Sequence, residues 1–162
     1  MIRTSQEQLA KLFATLGLPR SGTVMVHSAL FSLGLIEGGI GGFYHAIRNA
    51  LGPDGTLIVP TFTYSFRRAE VFDVLATPSA KNIGVFSEYV RRRPEAIRCP
   101  DPLFSLAAVG PRAEEYMIRP GISCFGEGSP YDRLFDENIS FLAIGITYST
   151  GLAGFMHLEH LA

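Results

Sequence analysis

The stretch from Thr23 to residue 59 limits the possible folds more than any other part of the chain. TVMVHSAL is apolar and β-branched and runs into a polar turn, the pattern of a buried strand. GGFYHAIRNAL then places Phe43, Ile47 and Leu51 at intervals of four, which is one face of a helix. Gly52 stops that helix, and Pro53-Asp54-Gly55 turns the chain into a second apolar strand over 56–59. Strand, helix and strand over this distance make a βαβ unit, with two parallel neighbours and a crossover helix.

The remaining segments extend the same α/β alternation. TSQEQLAKLFATLGL has Thr4 and Glu7 at capping-box spacing, carries Leu9, Leu12, Phe13 and Leu16 on a helical period, and closes at Gly17. No period holds over 65–80, which reads as a long loop. IGVFSEYVRRRP is a helix ended by Pro94, and RCPDPLFSLAAVG begins as a proline-stiffened loop and becomes a strand. RAEEYMI is a short helix. GEGSPYDRLFDEN is a turn and a helix with Pro130 near its first position. ISFLAIGITY is apolar almost throughout and is expected to be a central strand, followed by a closing helix after Gly151. The expectation is one α/β domain over 1–162: a layered fold with a central, largely parallel or mixed sheet flanked by helices.

Composition narrows the function. Of 162 residues, 47% are hydrophobic and 18% charged, which suits a packed core, and a net charge of −1 offers no basic field for nucleic acid. Arg91, Arg92 and Arg93 at a helix end read as a solvated face that complements the helix dipole. Cys99 and Cys124 lack metal-ligand spacing and are expected to stay reduced. The N-terminus has no apolar signal core, and no apolar run reaches the roughly 18 residues of a membrane span. A soluble, cytoplasmic protein with no nucleic-acid or membrane partner is expected.

Several polar residues stand where α/β proteins hold ligands. In VHSALFSLGLIEGGIGGF, His27, Ser28 and Ser32 follow a strand, and five glycines precede a helix. Glycines there either let backbone N–H groups converge on an anion or only serve turns; the pattern is neither GxGxxG nor a phosphate loop. His27, at the end of an apolar strand, stands where a hydrogen-bonded core residue is usual. Arg98, Asp101 and Ser105 lie along a rigid loop entering a strand. In the closing FMHLEHLA, His157 and His160 share a helix face, but HLEH is not HExxH, so no metal is expected, and the residues read either as a base near neutrality or as two ordinary polar helix residues.

Taken in order, VHSALFSLGLIEGG, GPDGTLIVPTFTYSF, PSAKNIGVFSEYVRRRPEAIRCPDPLFSLAAVG, GEGSPYDRL and FMHLEH resemble the antibiotic N-acetyltransferase family, whose best-known members are the aminoglycoside 3-N-acetyltransferases. The likeness runs from about residue 6 to residue 160. It implies transfer of an acetyl group from acetyl-coenzyme A, as co-substrate, to an amine of an amino sugar or aminoglycoside-like acceptor. By matching position, it makes His157 the general base and Asp101 a further catalytic candidate. It sets His27, Ser28, Ala29, Leu30, Ser32, Arg98 and Ser105 along the coenzyme, and Tyr64, Asp101, Glu127 and His160 toward the acceptor.

The chain departs from the family pattern at several points. His160 stands where the family's His-x-x-Glu has its glutamate, and Glu159 comes one residue early, about 100° around a helix. Asp101-Pro102 replaces a His-Pro, and Gly154 replaces a threonine. The family also continues further, so the chain resembles the N-terminal portion of the fold. Self-association through a surface left uncovered is expected, and the alternative to turnover is a catalytically weak relative that binds coenzyme A or a partner.

Overall fold

The computed structural model describes residues 2–64, 71–118, 123–137 and 139–147. Over these residues the chain runs β1 (Arg3–Thr4), α1 (Gln6–Thr15), β2 (Thr23–Ser28), a 3-10 turn (Leu30–Leu33), β3 (Leu35–Ile36), α2 (Gly39–Leu51) and β4 (Thr56–Pro60). A second 3-10 turn (Lys81–Ile83) leads into α3 (Val85–Arg91). Then come β5 (Ile97–Arg98), β6 (Leu106–Val109), α4 (Ala113–Met117), α5 (Pro130–Asp136) and β7 (Ser140–Ile144).

Five of the described strands form one mixed sheet in the order β5-β6-β4-β2-β7, and β1 and β3 pair separately. β2 lies parallel to both β4 and β7, with Val24 beside Leu57 on one side and Ser140 on the other. β6 runs antiparallel to β4 and to β5. The expected βαβ unit is therefore present as β2-α2-β4, and the sheet is mixed.

Strand alternation divides the core into two layers. Val24, Val26, Leu57 and Val59 pack with Leu9, Phe13, Phe43, Ile47, Phe86 and Val90, so α1, α2 and α3 cover one face. Met25 and Ile58 point the other way and meet Tyr116, Met117, Tyr131 and Leu134 of α4 and α5. Phe43 joins the first layer, with its ring edge-on to Phe13 at 5.8 Å and to Phe86 at 4.8 Å.

Three expectations are revised. The capping box of α1 is Ser5 with Gln8, not Thr4 with Glu7: Gln8 N–H donates to Ser5 Oγ at 3.2 Å, and Ser5 N–H to Gln8 Oε1 at 2.8 Å. Thr4 is instead in β1, where its hydroxyl bonds the Leu33 carbonyl at 2.5 Å. Second, β5 is a two-residue strand that the Pro-rich stretch concealed. Third, β7 lies at one end of the described sheet and not in its middle; Phe141 on it meets Phe135 of α5 at 5.3 Å between rings, and Ala143 is exposed. Ser5→Ala is expected to lower stability by about 1 kcal/mol in urea unfolding, whereas Thr4→Ala leaves the cap intact.

One glycine of the loop before α2 is required by close packing. A Cβ at Gly42 would lie 2.0 Å from the Glu37 carbonyl oxygen and 2.7 Å from Gln6 Nε2. None of the loop glycines, 34 to 42, lines the cavity described below. Of the two readings open for them, the turn and packing role is the one this structure displays.

Candidate active site

A cavity of about 500 Å³ opens at the carboxyl ends of the parallel strands β2 and β4, where open α/β sheets place ligands. β2 contributes His27 and Ser28, and the chain after it Ala29, Leu30 and Phe31. β4 and its continuation contribute Pro60, Phe62 and Tyr64, and Ile146 follows β7. The opposite wall is 81–85, the 3-10 turn and the start of α3. The lining is largely apolar with a few polar groups, namely His27, Ser28, Tyr64, Lys81 and Asn82. Small-molecule sites have this constitution, and the volume falls within their usual range of about 300–1,000 Å³.

His27 closes the inner end. It is 7% exposed, and its Nε2 has no hydrogen-bond partner among the described residues. Burial pulls its pKa down to about 4, so the imidazole is uncharged at neutral pH. Tyr64 stands at the rim, ring-to-ring with Phe62 and Phe104, and burial raises its hydroxyl pKa. Phe31 is 84% exposed at the mouth.

The remaining coenzyme candidates divide. Ser28, Ala29 and Leu30 line the cavity, and Ala29 N–H bonds the Ile144 carbonyl at 2.8 Å, which fixes this loop to β7. Ser32 lies outside the lining and packs against Gly145. Gly145 has φ +64°, and a Cβ there would stand 2.2 Å from Ser32 Oγ and 2.7 Å from the Ala29 carbonyl oxygen. Gly145→Ala is expected to lower stability by about 2 kcal/mol, read as a lower urea midpoint at unchanged slope.

Arg98 and Ser105 also lie outside the lining. Both are buried, and their side-chain groups bond one another, Thr61 and backbone carbonyls. Their donors are engaged within the protein, with Thr61 and the carbonyls of Val74 and Thr77. Asp101 accepts Leu103 N–H and Phe104 N–H, both at 2.8 Å, and so caps the turn between β5 and β6. It also bonds the Cys124 thiol, whose pKa is raised to about 12 by burial and by that carboxylate. Asp101 is thus engaged within its own turn and does not line the cavity. Glu127 is exposed in the turn before α5. His157 and His160 lie outside the described residues.

Sequence reasoning missed the wall at 81–85. Lys81 and Asn82 lie far along the chain from His27, and only the return of α3 brings them opposite it. The available signal was Gly84 just before a helix. Its φ is +104°, and a Cβ there would lie 3.1 Å from the Ser28 carbonyl oxygen, so the two walls meet at this glycine. Among the described residues no group of three or more His, Cys, Asp and Glu side chains is placed to hold a metal, and no helix is long and apolar enough to cross a membrane.

Comparison with known proteins follows the same geometry. The family described as Aminoglycoside 3-N-acetyltransferase matches residues 25–162. The aminoglycoside N(3)-acetyltransferase IV of Salmonella sp is 33% identical over 90% of this chain and 54% of its own length. A solved AAC-IIIb binary complex with CoASH superposes with a TM-score of 0.89 at 28% identity, covering 99% of this chain and 66% of that one. A mutant of aminoglycoside acetyltransferase AAC(3)-IVa, in complex with apramycin, superposes at 0.77 with 29% identity over 91% of this chain and 59% of that one. The chain spans about half the length of the curated relatives it matches. A family match over most of the chain and a superposition that takes in nearly all of its fold have one meaning: this chain belongs to the aminoglycoside 3-N-acetyltransferase family.

Proposed function

We propose that the chain takes part in acetyl-coenzyme A-dependent N-acetylation of an aminoglycoside-like amine, with the cavity at the ends of β2 and β4 receiving the acyl end of the coenzyme. The observation that carries this reading is the cavity itself: a largely apolar slot with few polar groups, at the strand ends of a fold that matches a coenzyme-bound relative. An acetylated pantetheine arm is thin, mostly apolar and amide-bearing. It suits walls such as Leu30, Phe62 and Val85, with Ser28 and Asn82 available to its amides. Lys81, at the exposed edge of the slot, is placed to meet the phosphates that such an arm carries at its far end.

The chemistry asked of the protein is modest. The thioester is already activated, and the acceptor amine, protonated near neutrality, has to lose a proton before it attacks. His157 is the proposed base for that proton. His27, held uncharged, meets the ligand as a hydrogen-bonding group and not as a cation. Asp101, Tyr64, Glu127 and His160 remain the acceptor-side proposals; of these, Tyr64 has the support of lining the cavity.

The test is thiol release from acetyl-coenzyme A in the presence of a panel of aminoglycosides and simple amino sugars, run beside a thermal shift with coenzyme A. Amine-dependent thiol release with a raised melting temperature supports the reading. A raised melting temperature without release would leave a coenzyme-binding protein that does not turn over. The absence of both responses would sink the proposal.

A further inference from the structure

The most heavily bonded side chain near the site touches no part of the cavity. Arg98, on β5, is 6% exposed, and its guanidinium donates to three carbonyl oxygens. Nη2 donates to the Thr61 carbonyl at 2.7 Å, and Nη1 to those of Thr77 at 2.6 Å and Val74 at 3.2 Å. Nε donates to Ser105 Oγ at 3.1 Å and Thr61 Oγ1 at 3.2 Å, and the Phe72 ring lies 5.0 Å from the guanidinium carbon. Among the described residues no carboxylate forms an ion pair with it.

A desolvated cation is costly to bury, and removing it leaves its partners unpaired. Arg98 therefore has to be read by what it joins. Thr61 lies between Pro60 and Phe62, two residues of the cavity lining. Val74 and Thr77 belong to 71–80, a segment without helix or strand that leads directly into the 81–85 wall. That segment has further ties: Ala80 N–H to the Phe62 carbonyl at 2.7 Å, Arg91 to the Leu75 carbonyl at 2.5 Å, and Ser79 N–H to Glu88 at 3.0 Å. Arg98 is the member that bridges from this segment to the end of β4 through one planar group. Lysine cannot reproduce it, because one ammonium cannot span three carbonyls set around a fork.

We propose that Arg98 is a positioning residue of the coenzyme site: by bonding Thr61, Val74 and Thr77 it holds 71–85 against the end of β4 and so fixes one wall of the cavity. The inference rests on the coenzyme reading for what the wall serves, but the clamp itself does not need it.

The test compares wild type with Arg98→Lys. Hydrogen exchange followed by mass spectrometry should show 71–85 exchanging about tenfold faster in the variant, with β2 and α2 unchanged. Affinities for coenzyme A and for pantetheine, which lacks the nucleotide and its phosphates, should fall together by the same factor, about tenfold. Unchanged exchange over 71–85 overturns the clamp. Loss of coenzyme A affinity with pantetheine untouched also overturns it, because Arg98 would then be a phosphate ligand. Should Arg98→Lys not fold, the wild-type Nε–H resonance decides: slow exchange and an unmoved shift on adding coenzyme A support the clamp, and fast exchange or a large shift overturns it. If wild type binds neither probe, the coenzyme reading fails while the exchange data still judge the clamp.

Discussion

Acidification from neutrality to about pH 4 is expected to remove on the order of 3 kcal/mol of stability through His27 alone. The imidazole is enclosed at the end of β2, and burial holds its pKa at about 4. An unfolded chain returns it to its ordinary range near 6.5. Between those two values the unfolded state binds a proton that the folded state refuses, so stability is complete above the upper value and declines as pH falls through the window. Glu88 acts in a different range. Burial pushes its carboxyl up, but hydrogen bonds from Arg91 and Ser79 outweigh burial and bring it to about 2, so its contribution starts to fall near the ordinary value of 4.5 and is gone near 2. Urea midpoints measured between neutral pH and about pH 5.5 therefore read the histidine window ahead of the carboxylates, among them Glu95, Glu115 and Glu137, whose carboxyls are also held low. His27→Gln, which cannot take up a proton there, should flatten that slope whatever it does to stability at neutral pH. Parallel slopes in wild type and variant would sink the assignment.

How far the sequence reaches is shown by particular residues. The β2-α2-β4 unit was legible because Phe43, Ile47 and Leu51 repeat at the helix period and all three are fully buried in the layer predicted for them. Leu16 fits the same kind of period in α1 and is exposed, since the helix ends before that position can reach the core. Choosing between Thr4 and Ser5 as the cap depended on a hydrogen-bond partner 29 residues away, because both fit a box rule that considers only four residues. The apolar run of β7 could not report its place in the sheet, which is set by what pairs beside it.

The site was legible in proportion to how local it is. His27, Ser28, Ala29 and Leu30 form one continuous turn off a strand, and all four line the cavity. Arg98 and Ser105 had the chemistry of ligands in a loop, and the sequence has no way to show that Thr61, Val74 and Thr77 turn their oxygens toward that loop. The wall at 81–85 was missed for the reverse reason: Lys81 and Asn82 look like ordinary surface residues until the fold returns them to Ser28.

His157→Gln is expected to lower turnover by about 10²–10⁴-fold, the usual contribution of a positioned base. The argument rests on the acceptor, because nearly all of an aliphatic amine is protonated near neutrality and cannot attack until a group takes that proton. A histidine is the side chain whose ordinary titration lies in the neutral range, so it can accept the proton and release it again within a cycle. The variant should keep its affinity for coenzyme A within about twofold, because the loss falls on a transition-state interaction and not on ground-state binding. Its rate should also lack the rise with pH expected of wild type across the neutral range. His160→Gln is the matched comparison, since His160 is the other histidine of the closing FMHLEHLA, three residues on. A large rate loss in His160→Gln with His157→Gln near wild type would move the base by one turn and restore the question of what Glu159 faces. Equal and small losses in both would mean that the amine loses its proton to solvent before it binds, and that the protein contributes the positioning of two substrates and nothing further.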